Sequence, residues 1–504
     1  MATTSEGLQF SADAEGQRST TRVNKAVYAA ALAGVRPEAA AAVAEERAWR
    51  KRYPKHVWAL TEAGVLQPEY ALRIAQDGLA AAWAQCEFVR GAQALGLAEA
   101  MQQPLGGQIA QIELRGQGAP TIEPWSLPYR GKQLRGAELR EQLERWEDAG
   151  VIEPSHGQAL RRLMEHPEWF DLADRTVVLL GAGSEAGPLA ALAHWRANII
   201  AIDLPDAARW QRITSIVRAG NGRLIAPLSQ PVAADTPVEQ WVALAGANLL
   251  TQTPELAAWL LGFEQDLDLA ALAYLDGAQH LRVSLAMDAI LATVSEARPA
   301  TTLMYMATPA DVFAVPEATA RAAMAQAQQL KPMQRLGTAL VRALSGGRLL
   351  QPHIRTLLTA QNGKRYGIVD GIVLQQGPNY ALAKRLQQWR ALLARAQGQR
   401  VAINVTPSTL TQSVIKNPAL KAGYDGAKRF GIEIFEPATT SALMAALWVH
   451  DLRCNECAAN PAVVLDNPLE LLMEGANHGG LWRNAFLPRT ALPIAALMGY
   501  LRIG

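Results

Sequence analysis

The chain has 504 residues, of which 50% are hydrophobic and 19% charged, with a formal net charge of +2 and three cysteines. That length supports two or three packed units in a globular protein, and the small net charge makes no case for nucleic acid or an acidic membrane surface, with no basic block standing out. Three cysteines exclude a disulfide framework, and the lack of a signal-peptide core or of an apolar run of about 18–20 residues makes a cytoplasmic protein without a membrane span the expectation.

Residues 1–22, rich in Ser, Thr, Gly and Glu, read as a loose tail. Residues 23–170 read as a mainly helical N-terminal domain, with helical apolar spacing in VWALTEAGVL and YALRIAQDGLAAAWAQCEFV. A Gly/Pro-rich extended passage, PLGGQIAQIELRGQGAPTIEPWSLPYRG, interrupts it before helices in GAELREQLERWEDAG and SHGQALRRLMEHPEW. Trp125, Tyr129, Trp146 and Trp169 near these boundaries read as packing residues.

From about residue 171 to 504, apolar runs alternate with helical stretches, which predicts an α/β fold: a doubly wound, Rossmann-like parallel sheet. TVVLLGAGSEAGPLAALAHWRANIIAID reads as strand, glycine turn, helix, strand. Gly181 allows the turn, Gly183 lets the backbone approach a pyrophosphate, Gly187 lets the helix pack closely, and Ser184 lies within the same loop. Asp203, 22 residues beyond Gly181, stands where an acid would bind the adenosine ribose, which places NAD ahead of NADP. Further strands are expected at 223–226, in DLDLAALAYLDGA and at 302–306, with a long helix at about 281–297. Ligands of such sheets bind at the C-terminal strand ends, where Gly181, Asp203, Asp276 and Thr308 fall.

Gly377-Pro-Asn-Tyr380-Ala-Leu-Ala-Lys384 opens a later helix, and RVAINVTPSTLT follows as strand and turn. Tyr380 and Lys384 share one helix face, so the ammonium is expected to lower the phenol pKa and make a general acid or base. Cys454 and Cys457, with His450 four residues before the first, could suggest zinc or redox chemistry. Without a second CxxC they read as a reduced pair, and no metal is expected.

The order of glycine turn, acid-tipped strand, Tyr-x-x-x-Lys helix and the R-V-x-x-N-V-x-P-x-x-x-T strand resembles the short-chain dehydrogenase/reductase superfamily, over residues 175 to about 452. The resemblance implies that Tyr380 exchanges a proton with a carbonyl or alcohol oxygen. It implies that Lys384 binds the nicotinamide ribose, that Thr308 stands for the substrate-orienting Ser, and that Ser284 stands for an Asn in a proton relay. Leu275-Asp276-Gly277-Ala278 replaces an N-N-A-G strand end, and Asp276 and Thr411 are placed beside the cofactor. Thr308 and Tyr380 are 72 residues apart, so an insertion at about 317–376 precedes the Tyr/Lys helix and is expected to overhang the site; a C-terminal extension covers about 453–504.

The expectation is therefore an NAD(P)-dependent dehydrogenase/reductase acting on a ketone or secondary alcohol of medium to large, partly apolar substrates, and working as a homodimer or homotetramer. Two alternatives stand beside it: an epimerase, isomerase or dehydratase that retains NAD, and a catalytically lapsed nucleotide-binding scaffold.

Overall fold

The computed structural model describes residues 6–103 and 106–501. At its centre lies a seven-stranded, mostly parallel sheet. Its strands are β1 (Ala110–Arg115), β2 (Thr176–Leu180), β3 (Asn198–Ile202), β4 (Arg223–Leu228), β5 (Leu267–Ala271), β6 (Thr302–Ala307) and, further along, β9 (Val401–Val405). The spatial order is β9-β6-β5-β2-β3-β4-β1, parallel throughout except that β1 runs antiparallel to β4.

The apolar runs dictate this sheet. TVVLL and its neighbours are buried on both faces, as parallel strands between two layers must be. Successive side chains point to opposite faces, so Val178 and Leu180 join one core and Val177 and Leu179 the other. The one ionic residue in these central runs, Asp268, is paired with Arg175. The chain builds outward from β2 through β3 to β4, then returns to lay β5 against the other side of β2. A crevice at the C-terminal ends of β2 and β5 is the geometric result.

On one face lie α5 (Gly277–Ala297) and α7 (Gly377–Ala396), covered in turn by α1 (Thr20–Ala33), α2 (Trp49–Leu66) and α3 (Pro68–Ala84). These N-terminal helices share one core with the sheet. Gly78 of α3 lies flat on Trp389 of α7, where a Cβ would come within 2.4 Å of the ring. Asn24 bonds Asn379 at 2.9 Å, and Trp83 donates to Asp288 at 2.7 Å. On the other face, α8 (Pro437–Arg453) packs through Leu443, Leu447 and Trp448.

Several elements differ from expectation. Gly7–Phe10, placed in a loose tail, is a buried strand pairing with Cys86–Arg90, because Leu8 and Phe10 supply buried apolar contacts and Leu8 N–H bonds Leu250 O at 2.7 Å. Residues 1–5 of that tail lie outside the described residues. Between β4 and β5, Val238–Trp241 forms a single helical turn, and Gly246 takes φ +120° a few residues on. The Gly/Pro-rich passage contributes β1, the edge of the central sheet.

The insertion forms its own small sheet. β7 (Val312–Pro316) pairs antiparallel with β8 (Arg365–Asp370), which pairs with Leu358–Thr359. Between them stand the helix Glu317–Gln328 and α6 (Pro332–Leu344). The chain after α8 is mostly turns until α9 (Pro488–Tyr500). No helix among the described residues is long and apolar enough to cross a membrane.

Candidate active site

The crevice begins at the glycine turn. Gly181 follows β2 at φ +102°, and a Cβ there would lie 2.6 Å from the Ala273 backbone, so the close passage of the two chains requires glycine. The expected helix is short: α4 (Leu189–His194) starts only after Pro188. Proline biases the residue before it away from helical backbone, so the helix cannot begin at Gly187. Gly187 instead closes a turn, its N–H bonding Ser184 O at 3.0 Å.

Asp203 ends β3 beside this turn and is buried. Its Oδ2 accepts the Gly183 N–H at 2.6 Å, and its Oδ1 accepts the Leu204 N–H at 2.8 Å and the Arg209 guanidinium at 2.5 Å. Arg212 donates to Gly183 O at 2.6 Å. Thus the acid that sequence reasoning assigned to a ribose fixes the glycine loop, with two guanidinium groups beside it. Glu185, also in the loop, accepts the Gln412 N–H at 3.0 Å and bridges the crevice next to Thr411. Asp276 is exposed at the N-cap of α5 and accepts a hydrogen bond from Tyr274 at 3.1 Å.

The second group lies beyond β6. Thr308, one residue past the strand, is buried, accepts the Ala310 N–H at 3.2 Å and lies near enough to Tyr380 to act on its phenol. The fold thus closes the 72-residue gap between them. Burial pushes the Tyr380 phenol above its ordinary pKa, and the Thr308 hydroxyl acts in the opposite direction. Burial sets the direction, and the expected lowering by Lys384 does not enter because its ammonium is engaged elsewhere. Lys384 Nζ turns toward Met306 O at 3.3 Å and Gln387 Oε1 at 3.2 Å. Burial lowers Lys384 to about 8, and Asp311 acts against this.

Asp311 is fully buried and anchors α7. It accepts from Arg385 at 2.6 Å and from Gln388 at 2.9 Å, and Arg385 also donates to Val312 O at 3.0 Å. This network fixes the helix that carries Tyr380 and Lys384 to the start of β7.

His280 is the residue that sequence reasoning missed, since one histidine on an apolar helix carries no motif. Its ring stacks on Tyr380, with centroids 5.4 Å apart and planes at 24°, and lies 4.7 Å from that of Tyr274. It is 1% exposed and held to about 3 by burial and then by Lys384, so it is neutral. Its Nδ1 faces the Leu275 N–H at 3.5 Å, while Nε2 has no partner. Ser284, one turn along the same side of α5, is also buried with an unpartnered hydroxyl. Two unpaired polar groups on this side of α5, one of them stacked on Tyr380, need an explanation, because buried polar atoms are nearly always satisfied.

Two cavities lie elsewhere. One, of ≈ 20 Å³, is bounded by Asn404, His450, Asp451 and Glu474; the other, of ≈ 350 Å³, sits at the opposite strand ends around Glu113, Thr176 and Asn198. Cys454 and Cys457 are free and buried. Donor atoms of His450, Asp451 and Cys457 lie within 4.8 Å of one another, but they are internally bonded. His450 Nδ1 meets Asp451 at 3.0 Å, Asp451 accepts from Asn404 at 2.7 Å, and the Cys457 thiol points to Cys454 O at 3.3 Å.

Because Lys384 titrates near 8, the pH profile gives two opposite signs. If its ammonium serves the reaction, kcat/KM falls as pH rises through about 8. Between about 8 and the ordinary lysine pKa the folded chain holds fewer protons than the unfolded one, so the same group makes stability rise with pH. Activity and denaturation profiles on Lys384→Met should both lose these features; a profile unchanged by the substitution removes Lys384 from the reaction.

No family model matches this chain, and no curated protein matches it.

Proposed function

We propose that the protein is a nicotinamide-nucleotide-dependent oxidoreductase on a Rossmann-like unit, interconverting a ketone and a secondary alcohol of partly apolar substrates. The observation that carries this reading is that the Thr308 hydroxyl at the end of β6 acts on the Tyr380 phenol, while His280, with Nε2 unpartnered, stacks on the same ring. A carbonyl oxygen between Thr308 and Tyr380 would accept both hydroxyls. The raised phenol pKa keeps Tyr380 protonated and suits it to donate as hydride reaches the carbonyl carbon. The neutral His280 ring holds the phenol in place by stacking.

The residues fit a dinucleotide in part. Gly181 brings β2 and β5 together without side chains, and Gly183 is tight enough that a Cβ would lie 2.9 Å from Asp203. Bound there, the nucleotide supplies the hydride. Glu185 would have to release Gln412 and places a negative charge near the phosphates, so Glu185→Gln is expected to tighten nucleotide binding several-fold. Calorimetric titration of both proteins checks it; unchanged or weakened binding places the phosphates elsewhere.

The ribose end supports a second preference. An acid favours NAD, but the Asp203 oxygens are engaged and Arg209 and Arg212 stand where guanidinium groups can meet a 2′-phosphate. A thermal-shift titration with NAD, NADH, NADP and NADPH tests the proposal. A shift with either pair supports it, and loss of an NADP preference in Arg209→Ala identifies the group that reads the phosphate. Nucleotide retained through purification favours the epimerase-like alternative. No shift and no retained nucleotide favours the lapsed scaffold, which the Glu185–Gln412 bridge would then hold shut.

A further inference from the structure

The near-neutral total charge conceals a local imbalance that the sequence reading passed over. Residues 318–369 contain eight Lys and Arg and no Asp or Glu. Three of these bases have acidic partners: Arg321 and Arg365 meet Glu317, and Lys364 meets Asp466 and Glu470. Among the described residues, Lys331, Arg335, Arg342, Arg348 and Arg355 form no ion pair, and all five are exposed.

At the centre of this segment stands α6, which has no buried residue. Pro332 opens it, and the Gln334 side chain accepts the Lys331 N–H at 3.0 Å, so its start is well capped. Met333, Leu336, Leu340 and Leu344 recur at three- and four-residue steps and are 81%, 68%, 58% and 81% exposed. Thr338, Val341 and Ser345, on another side, are the half-buried positions, so the leucine stripe does not face the protein. Arg335 and Arg342 lie seven residues apart on the polar side. The chain leaving α6 is tied to the start of α9, where Leu350 N–H bonds Thr490 O at 3.2 Å and Gln351 N–H bonds Thr490 Oγ1 at 3.0 Å.

We infer that α6 is an interfacial helix that docks the protein on an anionic lipid surface. An apolar stripe with a basic polar face and uncompensated flanking cations is the pattern that lies in the plane of a bilayer, leucines in the acyl boundary and bases among the headgroups. A second copy of the chain is a poorer occupant, since a twofold contact through this stripe sets five unpaired cations against five. Its place in sequence, between Thr308 and Tyr380, puts the docking helix in the connection that joins the two halves of the site. The inference stands without the nucleotide.

The test is co-sedimentation of the full-length protein with vesicles of phosphatidylcholine, with and without a one-third share of phosphatidylserine. Binding is expected to be at least about tenfold tighter to the anionic vesicles and to weaken with salt. L336D/L340D should abolish it, and R335E/R342E should remove the preference for phosphatidylserine. All four positions are solvent-facing, so the thermal midpoint should stay within the wild-type range in both variants. Absence of vesicle binding, equal binding to both compositions, or binding that survives L336D/L340D each overturns the inference. Concentration-dependent dimerisation lost in L336D/L340D, without vesicle binding, would assign the stripe to a second copy.

Discussion

Tyr380→Phe is expected to lower kcat by about 10²–10⁴-fold with little change in nucleotide affinity, because it removes one proton donor and leaves the ring in place. The ring is held by shape: it stacks on His280 and lies 6.3 Å from the Tyr274 centroid, edge to face. Thr308 acts on the phenol oxygen alone. Thr308→Val should therefore show a smaller loss, expressed more in KM, since it orients the oxygen without supplying the proton. Steady-state kinetics on both variants with nucleotide titrations separates the roles. If Tyr380→Phe turns over at the wild-type rate, the proton comes from another group and the proposed chemistry fails.

The largest stability effect is expected at Asp311. Asp311→Ala leaves the Arg385 guanidinium, 5% exposed, without its carboxylate, and losing one partner of a buried pair costs about 3–5 kcal/mol. Chemical denaturation should show that loss, and the double change D311L/R385M should recover most of it, because an apolar pair removes the stranded charge. Asp311 also raises Lys384, so any activity limb near pH 8 should move to lower pH in Asp311→Ala. A single variant with unchanged stability would mean that water enters and solvates Arg385.

How far this could be read without coordinates depended on how local each signal was. The parallel sheet was legible because TVVLL, NIIAI and VAINV are apolar on both faces, a pattern that only a two-sided layer satisfies. The pairing of Thr308 with Tyr380 came only from the resemblance, which set the one at a strand end and the other on the Tyr/Lys helix. The direction of Lys384 did not follow, because four-residue spacing fixes a helix face and not where an ammonium points. His280 and the Asp311–Arg385 pair were invisible for the same reason: their meaning comes from partners about a hundred residues away, or 74 in the second case. β1 was hidden by its surroundings, since AQIELR lies in a Gly/Pro-rich passage and finds its partner, β4, only in three dimensions. The helix after the glycine turn begins only at Leu189, beyond Pro188, a local signal read too lightly.

The packing of α1 to α3 on α7 has a consequence for how the chain comes off the ribosome. Asn24 waits for Asn379, 355 residues later, and the Gly64 carbonyl for Asn467, 403 residues later. At synthesis rates of about 5–20 residues per second, the first of these delays is roughly 20–70 s. Throughout it, the apolar faces that hold Tyr28, Leu32 and Ile74 lack α7, the helix they pack on. The first third of the protein is thus born as a client for holding chaperones, and a fragment cut before α7 is expected to aggregate.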